Sequence, residues 1–221
     1  MTRDEMRQLV AAEAHKLGPA LYEGLSAAIH AADTRSRGLI HATYPHLRPL
    51  ITRIEAREYL SREGLPRPWV VDGNPALMGQ LYLTATDLGL KLRMLKERRR
   101  TYPQGVPIAG HNSARRLAWQ APLPLDLPPA STRAAPAVTE LLLLWDYAKT
   151  DGDDTSFTLR IVHPVEAGVY GRGVRCDLDL SVQTGGTIFE NLTFTGDDDE
   201  ENFFETEIDR DENTGGSDTH D

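Results

Sequence analysis

Apolar residues in this chain recur at helical spacing up to residue 100 and at every second position beyond residue 138. That change of period limits the fold more than any total does. In the second half Phe157, Leu159, Ile161 and His163 alternate with Thr158, Arg160 and Val162. Val174, Cys176, Leu178, Leu180 and Val182 alternate in the same way with Arg175, Asp177, Asp179 and Ser181. Successive strand side chains point to opposite faces, so both runs read as antiparallel strands with one buried face. Leu141 to Leu144 is apolar without alternation, as in a strand covered on both sides. Turns fall at Asp151-Gly152-Asp153-Asp154 and Thr184-Gly185-Gly186. A three-residue loop with Gly186 left-handed sets Ile188, Leu192 and Phe194 beside Val182, Leu178 and Cys176. It leaves Glu190 on the core side without an evident reason.

The first half reads as helices. Thr2 and Glu5 form a capping box, and Met6, Val10, Leu17 and Leu21 then share a face. Gly18-Pro19 breaks or kinks this run. A further helix covers 47–62, with Leu47, Leu50, Ile51 and Ile54 inward and Gly64-Leu65-Pro66 as its stop. Asn74-Pro75 opens another over 75–100, in which Leu77, Leu81, Leu88, Leu92 and Leu95 fall on one stripe. Trp69 folds back onto these helices. The expected architecture is α+β: a helical region of three or four helices at 1–100, a Pro-rich basic linker at 101–137, a four-stranded antiparallel β region at 138–196 and an acidic disordered tail at 197–221. Within the linker, Asn112 to Gln120 fits a short helix.

Charge is distributed unevenly. Residues 1–120 carry +7 and residues 121–221 carry −16, of which −11 lies in 197–221 alone. The stated net charge of −9 therefore says little about the folded part. A single cysteine excludes a disulfide framework within the chain and any multi-cysteine zinc site, and points to the cytoplasm. No apolar run is long enough to cross a bilayer.

Positive charge gathers at Lys91, Lys96, Arg98, Arg99, Arg100, Arg115 and Arg116, with Tyr102 and Trp119 between. Cations interleaved with aromatics suit phosphates and stacked bases, so the patch is a candidate grip on nucleic acid or an acidic protein. The plainer account is a solvated helix end whose cations complement the helix dipole. Asp177 and Asp179 place two carboxylates on one strand face, as a divalent metal requires. The plainer account there is a polar row balanced by Arg160 and Arg175. Cys176 falls in the apolar register and reads as core. No nucleophile elbow, dinucleotide fingerprint or His-Glu-x-x-His motif is present.

The segments Leu95 to Pro107 and Leu141 to Asp146 resemble uncharacterised actinobacterial proteins of the Streptomyces type. The resemblance implies no activity, cofactor or catalytic residue. The expectation is a non-catalytic binding or regulatory protein without a cofactor, whose acidic tail competes for the basic patch. The alternatives are an adaptor in a bacterial assembly and a metal-dependent enzyme using Asp177 and Asp179.

Overall fold

The computed structural model describes residues 3–40, 43–99, 102–109, 116, 119, 138–148 and 157–190. Helix α1 runs over Arg3–Arg35 and α2 over Leu47–Glu63. Seven strands follow: β1 (Val70–Asp72), β2 (Tyr82–Ala85), β3 (Leu90–Lys96), β4 (Thr139–Tyr147), β5 (Phe157–Pro164), β6 (Cys176–Val182) and β7 (Ile188–Glu190). They form one sheet in sequence order, antiparallel throughout except for β3 and β4, which run parallel.

This overturns the expected three or four helices beside a four-stranded antiparallel sheet. The error lies at 74–100. Asn74-Pro75 does start a helical turn: Asn74 Oδ1 accepts the Ala76 N–H at 3.0 Å, and the Gly79 N–H reaches the Pro75 carbonyl. Left-handed backbone at Met78 and Gly79, φ 56° and 65°, ends it after one turn. The rest is a β-hairpin. Leu81, Leu83 and Ala85 alternate along and beside β2, and Leu90, Leu92 and Met94 along β3, all buried on one face. Gly89, left-handed at φ 63°, closes the turn between the strands. Leu81 and Leu92, eleven apart, fall on one helical stripe but equally on one face of two strands joined by a turn, and Leu77, counted in that stripe, is 59% exposed.

Parallel neighbours need a crossover of roughly a dozen residues or more. The stretch between Lys96 and Thr139, read as a linker, supplies it, so both halves of the chain enter one sheet. Helix α1 is unbroken at Pro19. The Gly18 beside it is a contact point, since a Cβ there would lie 2.0 Å from the Gly186 carbonyl oxygen in the β6–β7 turn. Ile188 stands opposite Val182, and Glu190 meets Arg7 of α1 at 3.2 Å, which accounts for its side of the strand.

Both helices pack on one face of the sheet. The main core joins Val10, Leu17, Leu21 and Ile29 of α1 to Leu83, Leu92, Leu143, Trp145 and Ile161. Helix α2 turns Thr52, Ala56 and Leu60 inward; the expected Ile54 is 38% exposed. The opposite face buries Leu142, Leu144 and Val162 under Val106, Ala109, Trp119 and Val174. Strand β4 is therefore covered on both sides, as its unbroken apolar run requires. Among the described residues no helix is long and apolar enough to cross a membrane.

Candidate functional site

The expected basic patch is not one surface, because its members belong to a strand, a loop and a second buried layer. Lys91 lies over the Tyr82 ring at 3.9 Å. Lys96 pairs with Asp146 and sits above the Trp145 and Tyr147 rings. Arg99 pairs with Glu97, whose side chain is fully buried. Trp119 is buried completely, its Nε1–H donating to Glu140 at 3.3 Å, so its ring offers no face for a base. Tyr102 is buried, edge-on to Tyr170. Arg98 and Arg116 are exposed. Arg100 and Arg115 lie outside the described residues, as does the acidic stretch at 197–221.

The two aspartates on β6 are engaged. Asp179 accepts from Arg160 at 2.6 Å, and Asp177 stands 2.6 Å from His163 Nδ1. Among the described residues no group of three or more His, Cys, Asp or Glu is placed to hold a metal ion. Burial, with Asp179 nearby, pushes the Cys176 thiol up to about 12, which removes it as a nucleophile at neutral pH.

Three patch members, Lys96, Arg98 and Tyr102, converge elsewhere. Strand β2 is shorter than β3, and its ladder ends where the Met94 N–H donates to the Leu81 carbonyl. Beyond that point the end of β3 borders a groove of about 780 Å³. The first turn of α2 forms the opposite wall with Pro45, His46, Pro49 and Leu50. Met78, Ile108 and Trp145 complete the apolar lining, and Arg53 enters from α2. The volume lies within the roughly 300–1,000 Å³ of small-molecule sites. The start of α2 adds a partial positive charge.

Arg53 is the residue that sequence reasoning missed. It donates through Nη2 to the Met78 carbonyl, while its buried Nε–H has no hydrogen-bond partner. Among the described residues no carboxylate pairs with it. Burial, then repulsion from Arg93, draws its pKa down from the ordinary arginine value. Arg98, across the groove, also lacks a paired carboxylate among the described residues; its backbone anchors the loop through Gly105 and Tyr102. The Glu97 carboxylate lines the groove too, but Arg99 and Arg160 engage both its oxygens. Arg53 lies outside the Leu47, Leu50, Ile51 and Ile54 face read as inward and flanks the Thr52, Ala56 and Leu60 face that the structure buries, so the sequence pattern did not mark it.

The arrangement can therefore hold an anion against an apolar wall. No protein-family model, curated protein or solved structure matches the chain.

Proposed function

We propose that this is a non-catalytic binding protein that takes an anionic partner in the groove between the start of α2 and the end of β3. The observation that carries the proposal is Arg53, a half-buried cation lining the groove with no carboxylate paired to it among the described residues. A buried charge without a counter-charge is unfavourable, and an anion in the groove relieves it. Arg98 and Lys96 support the same sign of ligand. The acidic run at 197–221, carrying −11, is a competitor of matching charge within the same chain. A single cysteine with no disulfide partner in the chain supports a reducing compartment, the cytoplasm.

The nucleic-acid form of this reading has exposed Arg98 and Arg116 in its favour. It has less support from Arg93, Lys96 and Arg99, which face Glu140, Asp146 and Glu97. A polyanion laid along this surface would meet those carboxylates, whereas a compact anion in the groove meets Arg53 and Arg98.

The test is titration of the protein with inorganic phosphate and with labelled DNA and RNA at two salt concentrations. A version ending at Gly196 and the Arg53→Met/Arg98→Ala double variant are run beside it. Salt-sensitive binding that weakens at least about tenfold in the double variant and tightens without residues 197–221 is expected, about 1.4 kcal/mol per tenfold step. Binding by none of the anions at low salt, or equal binding by the double variant, rejects the proposal.

A further inference from the structure

We infer that the groove's ligand is an amphipathic carboxylate: one carboxylate head on an apolar body, of small-molecule size. The inference rests on the anion-binding reading above and narrows it. The lining falls into two parts. Pro49, Leu50, Met78, Leu95, Ile108 and Trp145 offer aliphatic and aromatic surface, and Arg53 and Arg98 supply charge. An inorganic anion would use the charge and leave the apolar wall wet. A neutral apolar molecule would cover the wall and leave the Arg53 guanidinium desolvated with no counter-ion.

Arginine favours a planar head. Its guanidinium donates in a rigid fork that matches the two oxygens of a carboxylate, and such charge-assisted bonds strengthen where water is excluded. One nitrogen of Arg53, Nη2, is already committed to the Met78 carbonyl, which fixes the side chain at the groove. Met78 itself holds a left-handed backbone, uncommon for a non-glycine residue, and its side chain is 63% exposed at the groove. A flexible thioether at a ligand wall adapts to apolar bodies of different shape. The groove therefore recognises the class, head and body together, more than one outline.

The carboxylates nearby favour a single charge on the head. Arg53 and Arg98 line the groove with Glu97, whose charge is matched by Arg99 and Arg160, and Lys96 is matched by Asp146. A multiply charged ligand would bring its further charges toward those carboxylates.

The experiment is isothermal titration of the full chain with three probes: decanoate, decanol and inorganic phosphate. Saturable one-to-one binding of decanoate is expected, at least about tenfold tighter than either probe carrying half of its chemistry. Arg53→Met, which keeps the side chain's length, weakens decanoate about 10–100-fold and leaves decanol unchanged, as loss of a charged hydrogen bond predicts. Arg98→Ala, on an exposed side chain, repeats the direction with a smaller change and stands in should Arg53→Met unfold the protein. Phosphate binding while decanoate does not overturns this inference and leaves the anion-binding reading intact. Decanoate and decanol binding equally, with neither arginine mattering, overturns both.

Discussion

Arg160 on β5 donates to the carbonyl of Gln104, and Arg53 on α2 donates to the carbonyl of Met78. Both carbonyls belong to non-glycine residues with left-handed backbone, at φ 61° and 56°. Each arginine thus clamps a turn that its own sequence disfavours. The electrical settings are opposite. Arg160 lies between Glu97, at 2.5 Å, and Asp179, at 2.6 Å. Arg53 has no carboxylate beside it among the described residues, and Arg93 repels it. A clamp needs only the fixed carbonyl, and the carboxylates around Arg160 make its buried charge tolerable. Around Arg53, on the proposed reading, that counter-charge is left for a ligand to bring. The lesson is that neutralisation, rather than the number of cations, separates the structural arginine from the one proposed to bind.

The largest effect should follow from breaking the neutralised clamp. Glu97→Gln keeps the shape but removes the charge shared by Arg99 and Arg160, leaving Arg160 with Asp179 alone. A loss of about 3 kcal/mol in urea-unfolding free energy is expected, the low end for removing one partner of a buried pair. A loss below about 1 kcal/mol would show that solvent already screens this cluster, and the contrast with Arg53 would collapse.

The fold was partly legible in the sequence. Alternation at 157–163 and 174–182 marked β5 and β6, because their inner residues pack on α1 while Arg160 and Asp179 point away from it. The hairpin at 82–96 was not, because Leu81 and Leu92 suit a helical stripe as well as two strands, and only the left-handed residues Met78 and Gly89 decide. The parallel step from β3 to β4 depends on a long crossover that no local pattern encodes. Of the candidate site, Lys96, Arg98 and Tyr102 were visible as a charge run. Arg53 was hidden, since its importance comes from a turn of β-hairpin sequence brought against α2.

The neutralised half carries a second, smaller test at alkaline pH. The Cys176 thiol rises from 9.0 to about 12, chiefly by burial, with Asp179 adding to the rise. The folded chain therefore keeps a proton that the unfolded chain releases. Stability from this source is complete below about pH 9 and falls by roughly 1.4 kcal/mol for each unit above it, until the folded thiol titrates. Urea unfolding at pH 8 and pH 10 measures the fall, and Cys176→Ala should flatten that limb. An unchanged slope in the variant means the thiol is not the group responsible.

The smallest effects on folding should come from the groove, and their smallness is the point. Arg53→Met removes a desolvated guanidinium together with its bond to Met78. The lost charged hydrogen bond, about 1.5–3 kcal/mol, is offset by relief of an unpartnered buried N–H, about 1–3 kcal/mol. Net stability should change little. Arg98→Ala touches an exposed side chain with no ion pair among the described residues, so unfolding free energy should stay within about 0.5 kcal/mol. Binding moves the other way: both variants lose affinity for the anionic probe while the protein stays as firmly folded as before. That separation is what a site held ready for a ligand predicts, because the charge of its arginines adds little to the stability of the fold. If Arg53→Met instead unfolds the protein as readily as Glu97→Gln does, the two arginines are the same device, and the groove loses its claim to a ligand.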